Sequence, residues 1–178
     1  MKARRYKVVI WILMGIIALF LLLALWYKQS HAMDLVEPYT VNSENFGRKL
    51  LIATQGSDFK DALVQDVITH YKNDSVFIKV IDVSGLPQVN HQDFDGILLV
   101  HTWEYNKPPQ VVEEFIGDSK VKIQKVIAIT TSGEGHRFIE GVDGISGESE
   151  VKFAHEYSDW AIMKLNSLLF EDTKDTLP

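Results

Sequence analysis

The chain has 178 residues, of which 46% are hydrophobic, 24% charged and 11% aromatic, a balance that excludes wholesale disorder and fits one ordinary domain. Cysteine is absent, which excludes disulfides, thiol nucleophiles, cysteine-ligated zinc and iron–sulfur clusters. The net charge of −6 is uneven: residues 1–32 hold five basic residues and no acid, leaving 13 basic against 24 acidic residues elsewhere, a charge of −11 that repels nucleic acid.

Lys7 and Lys28 bracket 20 uncharged residues. At ~1.5 Å per residue a helix over 8–27 spans about 30 Å, the hydrocarbon thickness of a bilayer, so this segment is expected to cross a membrane. Tyr6 and Trp11 near one end, with Trp26 and Tyr27 at the other, suit its two interfaces. Lys2, Arg4, Arg5 and Lys7 should hold residues 1–7 in the cytoplasm and leave the soluble part outside it. A cleaved signal peptide is the competing reading, with Ser30 and Ala32 at the small-residue positions of a cleavage site. The length of the apolar run favours the anchor, and both readings export the domain.

Residues 28–47 lack sustained periodicity and contain Pro38 and Gly47, so they read as a linker. From there short apolar runs alternate with helical patterns. KLLIAT at 49–54 is a buried strand closed by a Gln-Gly-Ser-Asp turn, and Phe59, Leu63, Val67 and Tyr71 recur at i+4 along a helix reaching about Lys72. SVFIKVIDV at 75–83 is the second strand and GILLVHTW at 96–103 the third. Pro108 and Pro109 open a helix that buries Val111, Val112, Phe115 and Ile116. KVIAITT at 125–131 is the fourth strand; Val142–Ser146 is a short fifth, and a last helix runs from about Glu156 to Phe170. Only nine residues run from Gly133 to Gly141, fewer than the 10–12 or so of a helical crossover, so the fourth crossover helix is expected to be absent or vestigial.

Strands apolar along their whole length, alternating with helices, indicate a parallel sheet covered on both faces, a three-layer α/β/α sandwich over 48–170, with 171–178 as a tail. Ligands bind such folds beyond the carboxyl ends of the strands, which directs attention to loops 54–60, 101–108 and 131–141.

The runs LLIATQGSDFKDALVQDVI, DFDGILLVHTWEYNKPPQVVEEFI and KVIAITTSGEG resemble the flavodoxin-like family over about two-thirds of the chain. That resemblance implies a parallel sheet of order 2-1-3-4-5 with a short or vestigial fifth strand. It further implies bound FMN with an electron-transfer or reductase role. Flavodoxins hold the FMN phosphate with a loop close to (S/T)-x-(S/T)-G-x-(S/T) at the positive end of the first helix. Here Thr54, Gln55, Gly56, Ser57 and Lys60 stand at that loop, the final Ser/Thr is missing, and Asp58 sets a carboxylate beside the phosphate position. Ser57 or Asp58 could equally serve only as a helix cap. Thr102, Trp103 and Tyr105 fall on the second flavin-contacting loop, where the two rings either flank the isoalloxazine, are half-buried loop residues or face a partner. Ser132 and Gly133 belong to the third loop.

FMN is therefore the expected cofactor, with the membrane and a redox partner protein as partners and no nucleic acid. The alternative is a cofactor-free binding module of the same fold for a protein or small ligand. A reserve reading is a metal or hydrolase site at His101 and His136, which follow adjacent strands. Ser57 does not lie in a G-x-S-x-G elbow, and neither a dinucleotide nor a Walker fingerprint is present.

Overall fold

The computed structural model describes residues 2–30, 33–104, 107–133 and 135–170. It divides into two units, 1–33 and 34–178. The first is a single helix, α1 (Lys2–Ser30), whose stretch Tyr6–Trp26 is long and apolar enough to cross a membrane.

In the second unit β2 (Arg48–Thr54), β3 (Val76–Asp82), β4 (Gly96–Thr102), β5 (Val126–Thr131) and β6 (Asp143–Gly147) are parallel. They are flanked by α2 (Asp58–Tyr71), α3 (Gln110–Gly117) and α4 (Ala154–Phe170). The parallel strands lie in the order β3-β2-β4-β5-β6, which is the 2-1-3-4-5 order of the flavodoxin-like fold. Strand residues alternate between two cores, as the two-residue period of a sheet requires. Leu50, Ile52, Leu98, Val100, Ile127 and Ile129 face α2 and α4, while Leu51, Ala53, Ile97, Leu99 and Ala128 face α3 and the 3-10 turn Val83–Gln88. The near-continuous apolar runs of the sequence are thus strands buried on both faces.

Helix α2 packs on α4 through Phe59, Leu63, Val67 and Tyr71. The Tyr71 hydroxyl reaches Asn166 Oδ1 at 3.0 Å, which satisfies the one polar atom that side chain carries into the core. Between β5 and β6 no helix occurs among the described residues; Ile139 and Val142 of that loop cover the α3 face in its place.

The expected linker is in part folded onto the domain. Tyr39–Val41 forms β1, antiparallel to β3 at the sheet edge, with Tyr39 opposite Val80 and Val41 opposite Ile78. Beyond it Asn42 adopts φ 67°, a left-handed conformation that Asn tolerates, and its side-chain amide donates to Val76 O at 2.9 Å. Before β1 the chain continues to the carboxyl end of the sheet, where Asp34 pairs with Gly56. The physical reason is that β3 presents an unpaired ladder, and the β-forming Tyr-Thr-Val run caps it.

Candidate functional site

The carboxyl ends of β2, β4 and β5 carry three loops, and hydrogen bonds between them set the edge. The Gln55 N–H donates to Val100 O at 3.2 Å, and its side-chain Oε1 accepts from the Thr102 N–H at 2.7 Å, fastening the first loop to the second. The Trp103 N–H donates to Thr131 O at 2.8 Å, and the Thr102 and Thr131 hydroxyls lie 2.7 Å apart, fastening the second loop to the third. Glu104 and Lys107 exchange backbone hydrogen bonds at 2.9 and 3.0 Å.

Ser57 is the N-cap of α2, with extended backbone (φ −170°, ψ 156°) and Oγ accepting from the Lys60 N–H at 3.4 Å. The Lys60 side chain turns back along the same turn, so that Nζ donates to Ser57 Oγ at 3.3 Å, and the residue is fully buried. Burial pushes this amine down to about 8 against the opposing pull of the Asp61 and Glu104 carboxylates. A cation is thus held out of water at the positive end of a 14-residue helix. Asp58 is exposed, so its carboxylate does not fill the loop.

The other first-loop groups are engaged within the chain. The Thr54 residue is 2% exposed and its hydroxyl donates to Gln55 O at 3.1 Å. The Gly56 N–H donates to Asp34 O at 2.9 Å and the Asp34 N–H to Gly56 O at 3.2 Å. In the third loop Ser132 Oγ accepts from the Gly135 N–H at 3.0 Å, and Gly135 takes φ 67° to make that turn. Gly133, expected to give close approach, has open space where a Cβ would stand.

Two buried side-chain nitrogens lack hydrogen-bond partners among the described residues, His101 Nδ1 at the end of β4 and Trp103 Nε1 just beyond it. His101 is fully buried, with Nε2 3.4 Å from the Thr130 hydroxyl. Burial pushes its imidazole down to about 4, with the Lys60 charge adding to the effect and the Thr102 backbone opposing it. The Arg137 guanidinium lies 6.0 Å from the Trp103 ring centroid.

The structure therefore brings together Thr54, Gln55, Gly56, Ser57, Lys60, Thr102 and Trp103 along one edge, with Ser132 and Gly133 following β5. Tyr105 and Glu134 lie outside the described residues. No group of three or more His, Asp or Glu side chains that could hold a metal occurs among the described residues. Of the two histidines of the reserve reading, His101 is buried at the end of β4 and His136 follows β5. Sequence reasoning missed Asp34, which pairs with Gly56 through backbone groups alone.

No protein-family model and no curated protein matches the chain. Similar solved structures include a flavodoxin from the domain Archaea, at 13% identity and TM-score 0.45, covering 67% of this chain and 98% of that one. Flavodoxin 2 from Bacillus cereus, in its oxidised form, is 14% identical with TM-score 0.42, again over 67% and 98% of the two chains. The metal-soaked Flv1 flavodiiron core from Synechocystis is 11% identical with TM-score 0.47, covering 70% of this chain and 37% of that one.

Proposed function

We propose that this chain is a membrane-anchored, flavodoxin-like electron carrier or reductase that binds FMN at the carboxyl edge of its sheet. One observation carries the reading: the buried Lys60 amine, bonded to Ser57 Oγ at the N-terminus of α2, in a domain that is otherwise acidic. Desolvation and the helix dipole both disfavour a cation there, and a dianion set against it relieves both costs. Ser57, Lys60 and the first turn of α2 would hold the phosphate. The Trp103 ring offers stacking area, and its indole N–H is a donor suited to a carbonyl or ring-nitrogen acceptor. Bound FMN would supply one- and two-electron transfer. The residues around it would orient it, exclude water and hold its phosphate.

The anchor is α1, with its basic N-terminus in the cytoplasm, the domain outside, and a redox protein as partner. The test of the cofactor is the purified chain's visible spectrum, followed by titration with FMN if the protein is colourless. Retained flavin, or quenching of FMN fluorescence at micromolar concentration, is expected. Absence of both overturns the reading. A reporter fused after Pro178 that is active only outside the cytoplasm tests the orientation, and it should be active.

A second reading has its own support. Thr54, Gln55, Gly56 and Ser132 spend their polar groups within the chain, the condition of a cofactor-free recognition domain. The same titration separates the two.

A further inference from the structure

The flavin edge is reached by a segment that sequence periodicity leaves as linker. Residues 34–41 run antiparallel along β3 and then across the end of β2. Three ladder pairs hold Tyr39–Val41 to β3. The tip is held by the Val36 N–H, which donates to Asp82 Oδ2 at 3.2 Å, by the partly buried Val36 side chain against the core, and by Asp34, which exchanges two backbone hydrogen bonds with Gly56. Between tip and body lies a groove of about 320 Å³, lined by Leu35, Val36 and Pro38 on one side and by Ile81, Gly85 and Val89 on the other. Leu35 is 71% exposed, so the tip is not pinned by apolar packing at that residue.

Gly56 shows how closely the tip sits on the first loop. A Cβ built on it would lie 2.6 Å from Asp34 O and 2.9 Å from Asp34 Cβ. Gly56 does not have positive φ, so its backbone would accept a side chain. What excludes one is the strap. The Asp34 carbonyl takes the N–H that the first loop would otherwise offer to an anionic oxygen, and a backbone N–H of this kind serves one acceptor well at a time.

We propose that residues 34–38 form a removable strap that competes with the phosphate of FMN for the first loop, so that the site opens only when the strap lifts from Gly56. This rests on the FMN reading above and adds its regulation. Strap and phosphate exclude each other, so the apparent affinity is the intrinsic affinity reduced by the fraction of molecules with the strap lifted. β1 stays paired as the hinge, because its ladder is independent of the tip. The consequence is a domain whose ligand affinity depends on a segment only a few residues after the end of α1.

The experiment compares three forms of the full chain in detergent by quenching of FMN fluorescence. They are the unaltered protein, the double variant D34P/V36P, which removes two of the three hydrogen bonds at the tip, and the single variant D34P, which removes the Asp34 N–H bond to Gly56 O and adds no side chain to the first loop. Both variants are expected to bind FMN at least tenfold more tightly than the unaltered protein. Riboflavin, which lacks the phosphate, should bind all three forms alike. Equal FMN affinity in all three overturns the strap and leaves the FMN reading standing. No binding by any form overturns the FMN reading and the strap with it. An equal gain for riboflavin also overturns the proposal, because the competition would then not be with the phosphate.

Discussion

Gln55 Oε1 accepts the Thr102 N–H at 2.7 Å, so one side chain of the first loop finishes the hydrogen bonding of the strand that leads into the second. The Thr102 N–H has no strand partner on that side, because β4 runs past the end of β2. Substitution of Gln55 by Leu removes the acceptor and leaves a partly buried N–H unpaired, a loss of about 1–3 kcal/mol. Chemical denaturation should show a lower midpoint with an unchanged slope. Gln55→Glu keeps an acceptor at the same reach and should recover most of the loss. Equal stability of Leu and Gln at position 55 would show that the bond contributes nothing.

A second prediction concerns the opposite end of the site. Gly147 ends β6 beneath Tyr157 of α4, and a Cβ added there would fall on the Tyr157 hydroxyl. Tyr157 is in turn set edge-on against Phe59 of α2, with ring centroids 5.6 Å apart at 85°. Gly147→Ala must therefore push a ring out of a packed cluster, at a cost of about 1–3 kcal/mol. Tyr157→Ala makes room, so the double variant should be more stable than the sum of the two single effects by about 1 kcal/mol or more. Additivity in a denaturation cycle would contradict the contact.

These two positions show how unevenly the molecule can be read from its residues. The five parallel strands and three packed helices were legible because strands buried on both faces, such as Leu98–Leu99–Val100, leave unmistakable apolar runs. Expected and observed ends agree to within a residue or two, as at 96–103 against Gly96–Thr102. The strap was not legible. Asp34 and Val36 act through backbone groups, which no side-chain pattern announces, and Tyr39–Val41 is too short to show a period. At the edge itself, residue type located Ser57 and Lys60 but not their mutual bond, since pairing at i+3 across a cap depends on the rotamer chosen. His101 read as a loop histidine and is a core one. It occupies the last inward position of β4 beneath the α3 face, and strand alternation alone decides that.

The burial of His101 has a consequence for acid stability. Its imidazole titrates near 4 in the folded chain and near 6.5 when unfolded. Between those values the unfolded state binds the additional proton, so unfolding free energy rises with pH across this window. The contribution is fully present above about 6.5, is lost as pH falls toward 4, and amounts to at most about 3 kcal/mol. Carboxylates titrate in the lower part of the same range, so the informative quantity is the difference between wild type and His101→Leu. That difference should vary by up to this amount between pH 7 and pH 4. A pH-independent difference would mean that His101 is hydrated.

Lys60 distinguishes a site built for an anion from one that is merely structural. Its amine is pushed down to about 8 in the folded chain and has its ordinary value near 10.5 when unfolded. Between these values the unfolded state again carries more protons, so stability should rise with pH from about 8 to 10.5, and at pH 7 the buried charge is a burden on the fold. Lys60→Met keeps the length and apolar stem of the side chain and removes the charge. It should raise the unfolding free energy at pH 7, by about 1–3 kcal/mol, and flatten the pH dependence above 8. Binding of FMN should move in the opposite direction, weakening at least tenfold in the variant. In the unaltered chain it should weaken as pH rises through 8, because the dianion draws a proton onto the amine that it neutralises. A variant that gains stability and loses affinity identifies a charge retained for a ligand. A variant that loses stability without changing affinity assigns Lys60 to the helix cap alone.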